Sequence, residues 1–584
     1  MTLASRNLAV RYETRTPAGL HVVEALSELS IEVTPGRITA VAGESGSGKS
    51  TAALALAGLL PSEARVSGEV TLDGLPLPVS DDAAMSRIRG ARIGLLPQNA
   101  GSALHPLMSV GAQAAETLVL HKGLDAREAL EAARDILRRC GLPEDAWRRR
   151  PEALSGGQRR RAAWAVMLAA DPQYVILDEP TAGQDPGFRR LLLAQVRRLR
   201  DEGRGILLIT HDLAALENLV DETHVLYLGE AVERMPKSPL DGRPRHPATR
   251  GLARSWPDAF GLRELTGMKG EPPAGRIHVH VAGNAAHAHE GSAHAVCRGC
   301  RFAPRCPQAN DECLEIHPEL KPVEDGLVRC LLGGIATRIE ARRLTKRLGG
   351  VEVLSDVSLS VEAGETLVVM GESGAGKSTL GALLAGAIAP DSGEILLDGV
   401  PADRLVLAQG TGWVEQDPEL VTSPRMTLLE IVAEPLELSR PELPKAEIVE
   451  RVRRVMREAR LPDDDAFLSQ RRTSLNGGAL QRLALARALI TDPAVLIADE
   501  PTSALDPSVQ AKLLRHLLDL QTERGLTLVL ITHDAGVAGR TADRVLVLDA
   551  GRTVECAPAS RFFRHPSSEA AQRLLEAAGQ RLGI

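Results

Sequence analysis

The sequence has few aromatic residues, little net charge and no long apolar run, and each shortage narrows the classes of protein it can encode. Aromatic residues make up 2% of the 584 residues, and the formal net charge is -7. Because nucleic-acid surfaces on proteins are basic, this composition gives no indication of a nucleic-acid partner. No apolar stretch approaches the roughly 20 residues that cross a bilayer, and the N-terminus shows no basic-then-apolar leader. We therefore expect a cytosolic protein that meets a membrane only through partners.

Cysteines are also scarce. The chain has seven, and five of them fall between Cys297 and Cys330. In a cytosolic chain this clustering favours a metal or iron–sulfur site over disulfide bonds. The length exceeds that of one core and predicts two domains of roughly 200 to 250 residues joined by a connector.

The most informative stretch is the glycine-rich GESGSGKST at residues 43–51, which recurs as GESGAGKST at residues 371–379. In such a loop, backbone N–H groups surround a phosphate at a helix N-terminus, the lysine contacts the β- and γ-phosphates, and the next hydroxyl holds magnesium. The sequence therefore predicts two ATP sites, with Lys49 and Lys377 on the nucleotide and Ser50 and Ser378 on Mg²⁺. The other loop residues predicted to contact the nucleotide are Gly43, Ser45, Gly46, Gly48, Thr51, Gly371, Ser373, Gly374, Gly376 and Thr379.

Further landmarks recur in the same order and indicate a duplicated domain. VILDEP at residues 175–180 is typical of a buried strand that ends in two carboxylates, and LLITHD at residues 207–212 of a strand that ends in a histidine. VLIADEP and LVLITHD repeat both patterns in the second half. Apolar runs of this length, separated by helical segments, indicate a parallel sheet whose strand ends meet at one edge.

These strand ends carry the predicted chemistry of hydrolysis. We expect the aspartates to bind Mg²⁺ through water, the glutamates to polarise the attacking water, and the histidines to contact the γ-phosphate. The pairs are, in this order, Asp178 and Asp499, Glu179 and Glu500, and His211 and His533.

The motif LSGGQ at residues 154–158 lies between the phosphate loop and the carboxylates and resembles the signature of ATP-binding cassette (ABC) proteins. The resemblance covers nearly the whole of both halves. It implies an α/β fold with two P-loop NTPase domains of the ABC type, each with a mainly parallel sheet core, an antiparallel β subdomain and a helical subdomain, plus a small Cys-rich connector. Members pair two cassettes head to tail, so that each ATP lies between one phosphate loop and the other signature helix, whose N-terminus supplies backbone donors.

By the same resemblance, glutamines that follow an early core strand join the catalytic set, and the signature residues contact the nucleotide. The glutamines are Gln98 and Gln416. The signature residues are Ser155, Gly156, Gly157, Gln158, Asn476, Gly477 and Gly478.

The stretches after the two glutamines, NAGSALHPLMSVGAQAAE and DPELVTSPRMTLLEIVAEPL, narrow the resemblance to the ATPases of oligopeptide, dipeptide and nickel importers. In that subfamily this stretch touches the membrane subunits. Each half also ends in an Arg-His-Pro segment, at residues 245–247 and 564–566, for which an ordinary helix-capping loop is the alternative. The resemblance implies two transmembrane permease subunits and, through them, an extracellular substrate-binding protein as partners. It also implies a peripheral location at the cytoplasmic face of a bacterial plasma membrane.

The second signature departs from the pattern, because LNGGA has Asn476 in place of the serine and Ala479 in place of the glutamine. In a head-to-tail pair this altered signature faces the first phosphate loop. Asparagine can still cap a helix, so we expect a weakened site rather than a dead one. The hypothesis is that the Lys377 site does most of the hydrolysis and the Lys49 site holds ATP longer; the alternative is neutral drift in a tolerant motif.

A second difference concerns the adenine ring, on which the family stacks an aromatic side chain from an early strand. Tyr12 fits this role in the first half. The equivalent position in the second half is Leu348, which offers contact without a π-face.

The stretch CRGCRFAPRCPQANDEC, followed by Cys330, resembles the C-terminal extension of the same importer ATPases, whose cysteines hold a 4Fe-4S cluster in some members. The ligands implied are Cys300, Cys306, Cys313 and Cys330. Zinc is an alternative, because four thiolates suit a tetrahedral site and Cys297 lies at zinc-knuckle spacing from Cys300. Free thiols are the third interpretation. Cys297 is additional to the family pattern and is either a spare cysteine or a substitute ligand.

A histidine-rich tract precedes the cysteines. Such a tract either binds nickel, zinc or copper or forms a flexible polar linker, and we favour the linker. Its histidines are His278, His280, His287, His289 and His294.

The sequence thus predicts a first cassette over residues 1–258, a His- and Cys-rich connector over 259–335 and a second cassette over 336–584. The predicted function is the ATPase of a peptide importer, with two ATP sites formed by intramolecular pairing of the cassettes. A nickel or metal-chelate importer is the first alternative. A soluble tandem ABC protein that acts on ribosomes and an ATPase regulated by the redox state of its metal segment are further alternatives.

Overall fold

The computed structural model describes residues 2–16, 19–240, 243–256, 267–270, 277–278, 299–502 and 505–579. The chain divides into two compact units. The first comprises residues 1–253, 271–304 and 310–334, and the second comprises residues 254–270, 305–309 and 335–584. Within the described ranges, no helix is both long and apolar enough to cross a lipid bilayer.

Two sheets form the framework of the first unit. The strands of the antiparallel sheet are β1 (Leu3–Thr16), β2 (Gly19–Val33), β4 (Ala64–Leu72), β5 (Leu75–Pro76) and β11 (Ile277–His278), in the order β11-β2-β1-β4-β5. The core sheet contains β3 (Ile38–Gly43), β6 (Ile93–Leu96), β7 (Tyr174–Asp178), β8 (Gly205–Ile209), β9 (Glu222–Tyr227), β10 (Glu230–Pro236), β12 (Leu320–Val323) and β13 (Gly326–Arg329). Its order is β12-β13-β10-β9-β3-β8-β7-β6, and the strands from β9 to β6 are parallel.

The helices of the first unit include a cluster that lies between β6 and β7 in sequence. The helices are α1 (Lys49–Leu56), α2 (Asp82–Ser86), α3 (Val110–Lys122), α4 (Ala126–Arg139), α5 (Gly156–Ala169), α6 (Pro186–Asp201), α7 (Pro247–Arg254) and α8 (Asp311–Glu315). Helices α3, α4 and α5 share a small apolar core that includes Ala114, Leu118, Ala129 and Ala169. This cluster is the predicted helical subdomain.

The second unit repeats the plan. Its antiparallel sheet is formed by β14 (Thr337–Leu348), β15 (Val351–Glu362), β17 (Ser392–Leu397) and β18 (Val400–Pro401), in the order β15-β14-β17-β18. Its core sheet is formed by β16 (Thr366–Met370), β19 (Thr411–Val414), β20 (Val495–Asp499), β21 (Thr527–Ile531), β22 (Arg544–Asp549) and β23 (Arg552–Pro558), in the order β19-β20-β21-β16-β22-β23.

In the second unit, the helix after the phosphate loop and the helix at the signature correspond to α1 and α5 of the first unit. The helices of this unit are α9 (Lys377–Leu384), α10 (Arg404–Gly410), α11 (Pro418–Val421), α12 (Leu428–Ser439), α13 (Lys445–Glu458), α14 (Asp465–Leu468), α15 (Gly477–Leu489), α16 (Pro507–Arg524), α17 (Ala535–Thr541), α18 (Ala559–Arg564) and α19 (Glu569–Ala577).

The continuous apolar runs of the sequence become fully buried parallel strands, because layers cover both faces of the core sheet. Every residue of β3, β7, β8, β16, β20 and β21 is buried. In each unit, an apolar core lies between the antiparallel sheet, the helix that follows the phosphate loop and one face of the core sheet. The predicted fold class is confirmed for both halves.

Part of the predicted connector packs on the first unit. Strands β12 and β13 form an antiparallel hairpin, and β13 pairs with β10 at the edge of the first core sheet. Residues 310–334 therefore belong to the first unit, while residues 305–309 belong to the second. A compact Cys-rich connector is not observed among the described residues.

Candidate functional site

Each phosphate loop connects a buried core strand to a helix through a glycine in the left-handed region. Gly48 has φ 99° and Gly376 has φ 97°, and each is the N-cap of its helix. A Cβ atom on Gly48 would lie 2.3 Å from the carbonyl oxygen of Ala25, and one on Gly376 would lie 2.7 Å from Cδ2 of Leu354. Glycine is therefore required at both positions by conformation and by space.

The loop lysines are folded over their own loops. Lys49 Nζ donates to the carbonyl oxygens of Gly43 (2.9 Å) and Glu44 (2.8 Å). Lys377 Nζ makes the same two bonds to Gly371 (2.9 Å) and Glu372 (2.9 Å). Burial lowers the pKa of both ammonium groups, and the nearby aspartate and glutamate carboxylates oppose this shift. Each lysine is the first residue of the helix that follows its loop, and a helix N-terminus favours an anion.

The predicted magnesium ligands meet at the ends of β7 and β20. Ser50 hydrogen-bonds Asp178, and Ser378 hydrogen-bonds Asp499. Burial raises the pKa of both aspartates, and the serine bonds oppose this shift. In each aspartate, Oδ1 is buried and has no hydrogen-bond partner among the described residues.

A buried carboxylate oxygen without a partner is costly and calls for a cation or ordered water. Oxygen ligands from one hydroxyl and one carboxylate suit Mg²⁺, which keeps several of its own waters. These residues therefore fit the predicted metal, which would neutralise phosphate charge when it is bound.

The predicted catalytic glutamates follow these aspartates in an unusual backbone conformation. Glu179 has φ 49° and Glu500 has φ 41°, a region that side chains rarely occupy. Such strain is stored where the surrounding structure fixes a side chain for function. The conformation aims each carboxylate at the histidine of the neighbouring strand end: His211 Nδ1 lies 2.7 Å from Glu179 Oε1, and His533 Nδ1 lies 2.8 Å from Glu500 Oε1.

Further hydrogen bonds hold both glutamates. The backbone N–H of His211 donates to Glu179 Oε1 at 3.0 Å, and the Thr210 hydroxyl donates to Oε2 at 3.3 Å. In the second unit, Gln416 Nε2 donates to Glu500 Oε2 at 3.3 Å. Thr210 was not predicted from the sequence, although its place directly before the histidine is a usable signal.

The second site opens into a cavity of about 490 Å³. The cavity is lined by Ser373, Gly374, Gly376, Lys377, Ser378, Thr379, Gln416, Glu500, His533 and Val353. The structure thus brings the predicted loop, glutamine, glutamate and histidine together, and it adds Val353 from β15, which the sequence analysis missed.

The two predicted adenine positions are equivalent by strand register. Tyr12 pairs with Val23 near the end of its hairpin, and Leu348 pairs with Val351 near the end of the matching hairpin. Tyr12 is partly buried, whereas Leu348 is 45% exposed and does not line the cavity.

The signature residues form helix caps. Ser155 Oγ accepts from the N–H of Gln158 at 3.2 Å, and Gln158 Oε1 accepts from the N–H of Ser155 at 3.1 Å. At the altered signature, Asn476 Oδ1 accepts from the N–H of Ala479 at 2.9 Å, but alanine cannot return the second bond. Gly156 and Gly477 open helices α5 and α15, and Gly157 and Gly478 follow them. Asn476 therefore replaces serine as the helix cap. The reciprocal bond of the capping box is lost, because Ala479 stands in place of the glutamine.

Among the residues that the structure describes, the cysteine segment does not show the predicted metal site. The N–H of Cys300 donates to the carbonyl of Cys313 at 2.8 Å, and Cys330 Sγ lies 3.6 Å from the carbonyl of Gly334. Burial raises the pKa of the Cys300 thiol to about 11. Across the described ranges, no group of three or more His, Cys, Asp or Glu side chains is placed to hold a metal ion. Cys306 lies in the second unit, and the 4Fe-4S cluster and zinc gain no support from this geometry.

Other predicted ligands fall outside what the structure describes. Cys297, His280, His287, His289 and His294 lie outside the described residues, and His278 is described only as the last residue of β11.

Packing and ion pairs anchor the start of the cysteine segment to the first unit. The Phe302 ring meets Tyr227 edge to face, with centroids 5.1 Å apart. Arg301 pairs with Glu24 at 3.1 Å, and His317 lies 2.8 Å from Glu230. These contacts bury an aromatic ring and pair the Arg301 guanidinium with a carboxylate.

A glutamate on β10 and one on β23 accept backbone hydrogen bonds at or just after the Arg-His-Pro segments. Glu233 accepts hydrogen bonds from the N–H groups of Arg245 (2.7 Å) and His246 (2.9 Å). Glu555 accepts them from Ser567 (3.0 Å) and Ser568 (2.9 Å), which follow the second segment. Both carboxylates thus satisfy backbone donors just before a helix, as the helix-capping alternative implies.

Comparisons with known proteins agree with the duplicated site. The chain matches the ABC transporter family over residues 26–182 and 354–503, and the C-terminal region of oligopeptide/dipeptide transporters over residues 232–313. Oligopeptide transport ATP-binding protein OppD of Mycobacterium bovis (strain ATCC BAA-935 / AF2122/97) is 36% identical over 96% of this chain and 96% of its own length. Glutathione import ATP-binding protein GsiA of Escherichia coli O157:H7 is 32% identical over 95% of this chain and 86% of its own.

A twice-repeated phosphate loop, carboxylate pair and histidine on ABC-type sheets define the class of protein: an ATPase that couples ATP hydrolysis to transport. The chain belongs to the ABC transporter family as a tandem duplication, and it carries the C-terminal region of the oligopeptide/dipeptide transporters. ATP and Mg²⁺ are the cofactors expected of this class.

Proposed function

We propose that this chain is the ATP-hydrolysing subunit of an importer that brings peptides across the cytoplasmic membrane. The observation that carries the proposal is the match of residues 232–313 to the oligopeptide/dipeptide transporter region, beside two stretches that match the ABC transporter family. The relatives named above are an oligopeptide and a glutathione ATP-binding protein, and glutathione is itself a small peptide. These names favour peptides over nickel as the cargo.

The proposed partners are two transmembrane permease subunits, which receive peptide from an extracellular substrate-binding protein. The stretches after Gln98 and Gln416 expose large apolar side chains, as a docking loop does: Leu107 is 69% exposed and Leu420 is 77% exposed. Exposed leucines in matching stretches of both units support one permease contact for each cassette. The ATPase then lies at the cytoplasmic face of the membrane without crossing it.

In the proposed mechanism the two cassettes pair head to tail within one chain. The loop lysines bind the β- and γ-phosphates, and the glutamates at positive φ polarise the attacking water with the histidines beside them. Mg²⁺ at the aspartates would supply charge neutralisation. Binding of ATP closes the pair and hydrolysis reopens it, which drives the permeases.

We further propose that the two sites work unequally, with most turnover at the Lys377 site. Support comes from the second signature helix, where Asn476 keeps one cap bond and Ala479 cannot make the other. In the proposed pairing this helix serves the Lys49 site. We expect Glu500→Gln to lower ATP turnover by more than about tenfold and Glu179→Gln to leave about half of it. The reverse ranking in a steady-state ATPase assay would contradict the assignment.

Reconstitution with the permease subunits in liposomes tests the function directly. We expect ATP-dependent uptake of labelled peptide when the substrate-binding protein is present, with glutathione and longer peptides compared in parallel. Leu107→Asp and Leu420→Asp are expected to abolish uptake while ATP hydrolysis by the free chain stays near wild type. Leu75→Asp, at a 72% exposed leucine of the antiparallel sheet, is the matched control and is expected to keep uptake. Uptake of nickel but no peptide would refute the proposal.

The metal content of the cysteine segment stays a prediction. It is supported by the match of residues 232–313 to the transporter C-terminal family, a region that contains Cys300, Cys306 and Cys313 but ends before Cys330. Iron, acid-labile sulfide and zinc are to be measured in protein purified without oxygen, beside Cys306→Ser. About four irons and four sulfides per chain, lost in the variant, would establish the cluster. One zinc per chain without sulfide would establish a structural zinc site. The absence of both iron and zinc would establish free thiols.

A further inference from the structure

The first phosphate loop rests on two backbone segments that lie outside it in sequence. The N–H of Gly229, in the turn between β9 and β10, donates to the carbonyl oxygen of Ser47 at 3.0 Å. A Cβ atom on Gly48 would lie 2.3 Å from the carbonyl oxygen of Ala25 on β2. Because a trans peptide points its C=O and its N–H in opposite directions, the bond to Ser47 fixes the direction of the Gly48 N–H, one of the amides that such a loop offers to a phosphate. The turn therefore helps to aim the loop at its ligand.

This turn has a backbone conformation that its sequence disfavours. It consists of Leu228 and Gly229, which join the paired residues Tyr227 and Glu230. Both turn residues have positive φ, 45° for the leucine and 85° for the glycine. Two-residue hairpin turns of this kind favour asparagine or glycine at the first position, and a leucine there is strained. The turn therefore depends on contacts from elsewhere in the chain.

Arg301, in the cysteine segment, supplies such contacts. Its Nη1 donates to the carbonyl oxygen of Leu228 at 2.5 Å, and its Nε lies 3.5 Å from Glu230 Oε2. Its Nη2 donates to Oε2 of Glu24, the residue before Ala25, at 3.1 Å. The arginine side chain is 11% exposed, and the two carboxylates are 10% and 3% exposed. One mostly buried guanidinium thus joins both backbone segments that support the first phosphate loop.

The second unit has an equivalent turn with a different charge beside it. The N–H of Ser355 donates to the carbonyl oxygen of Gly551 in the turn between β22 and β23 at 2.9 Å. The next residue is the exposed Arg552, where the first unit has the buried Glu230. A guanidinium placed like that of Arg301 would meet a like charge there. The charges that hold Arg301 are therefore not repeated at the second site.

We propose that Arg301 is a positioning residue of the first ATP site, which it serves by holding the β9–β10 turn and β2 against the phosphate loop. It acts through the backbone of the turn and the loop rather than on the nucleotide. The cysteine segment thereby sets the nucleotide affinity of one site of the two. The inference rests on nucleotide binding by the phosphate loops and not on the proposed cargo or the proposed pairing.

The two sites can be measured one at a time in the full chain, since Lys377→Met leaves the first loop intact and Lys49→Met leaves the second. Binding of a fluorescent N-methylanthraniloyl derivative of AMP-PNP with Mg²⁺ is followed in each background. We expect Arg301→Gln to weaken binding at the first loop by about threefold to tenfold and to change binding at the second by less than about twofold. Arg301→Lys keeps a cation between Glu24 and Glu230 but lacks the planar fork of donors. Its affinity at the first loop is expected to fall between those of wild type and Arg301→Gln.

Arg329→Gln is the matched control. Arg329 is a buried arginine that also joins the segment to β10, but away from the turn: its Nε donates to the carbonyl of Ala231 at 3.0 Å and its Nη1 to that of Pro318 at 3.1 Å. Its removal is expected to lower the unfolding temperature and to leave affinity at the first loop within about twofold of wild type.

Three results would overturn the inference: an Arg301→Gln chain that binds like wild type at the first loop, one that is weakened equally at both loops, or a control that is weakened as much. Absence of binding in both lysine backgrounds with Arg301 in place would instead count against the ATP sites themselves. The two failures are therefore distinguishable.

Discussion

The phosphate-loop lysines are buried cations that hydrogen-bond to backbone carbonyls of their own loops. Lys49 is 7% exposed and Lys377 is 8% exposed. The lowered pKa of each shows that burial disfavours its charge, and the two carbonyl bonds offset part of that cost. A charge held at such cost is retained for a ligand rather than for stability.

Removal of these lysines should therefore affect nucleotide binding far more than folding. We expect Lys49→Met with Lys377→Met to keep the unfolding temperature of the free protein within about 2 °C of wild type, because the lost hydrogen bonds and the relieved burial cost offset each other. Saturating MgATP should raise the wild-type unfolding temperature by about 5 to 10 °C and leave the double variant unshifted. Lys445→Met, at an exposed lysine, is the control and should keep the full MgATP shift. An undiminished shift in the double variant would rule out the lysines as phosphate ligands.

The helices α6 and α16 occupy equivalent places in the sequences of their units, and one position at which they differ holds a buried histidine in the second unit. Gln195 on α6 accepts from the indole N–H of Trp164 and donates to the carbonyl of Arg139 at 2.5 Å. The matching residue on α16 is His516, which is 5% exposed. Burial lowers the pKa of His516 from 6.5 to about 4, and the nearby Arg460 adds to the shift. The imidazole is thus kept neutral by its surroundings.

This histidine should make the second unit sensitive to acid. Since the pKa of His516 is lower in the folded state than the unfolded value of 6.5, its contribution to stability is present above pH 6.5 and is lost as the pH falls towards about 4. We expect His516→Gln to remove up to about 2 kcal/mol of the loss in unfolding free energy between about pH 7 and pH 4.5. Urea unfolding at each pH measures it. The exposed His121→Gln should leave the pH dependence unchanged, and an unchanged slope in His516→Gln would contradict the assignment.

At the same scale, the sequence predicted the elements whose signals are local. The buried strands β7, β8, β20 and β21 read as continuous apolar runs, and the phosphate loops read as glycine patterns. The pairing of β13 with β10 was missed, because it joins segments almost a hundred residues apart and no local pattern encodes it.

The sequence predicted which residue types form the site, but it did not predict the backbone conformations and hydrogen bonds that hold them in place. The positive φ of Glu179 and the bond from Thr210 to its carboxylate arise from how β7 and β8 end side by side. Val353 lines the second cavity because β15 passes close to the phosphate loop: a Cβ atom on Gly376 would lie 2.9 Å from the carbonyl oxygen of Val353. Only the folded sheet shows this. Among the described residues, no group of three or more ligating side chains is placed to hold a metal ion, so the cysteine spacing alone carries the metal prediction.

On the scale of the whole molecule, the proposed function requires both cassettes to act as one pair. Two cassettes on one chain have an effective concentration for each other that reaches the millimolar range for short linkers. Separate chains at micromolar concentration cannot compete with that. The proposed pairing should therefore remain within the chain during turnover.

Two variants that damage the same proposed composite site test this pairing. Lys377→Met removes its lysine, and Ser155→Arg places a bulky cation at the signature proposed to face that lysine. If pairing stays within the chain, a mixture of the two variants should hydrolyse ATP at the mean of their separate rates at every concentration from about 0.1 to 10 µM, because neither chain holds an intact Lys377 site. Exchange between chains would instead rebuild an intact site from the good halves, and the specific activity would rise with concentration. Such a rise would refute intramolecular pairing while leaving each ATP site as described.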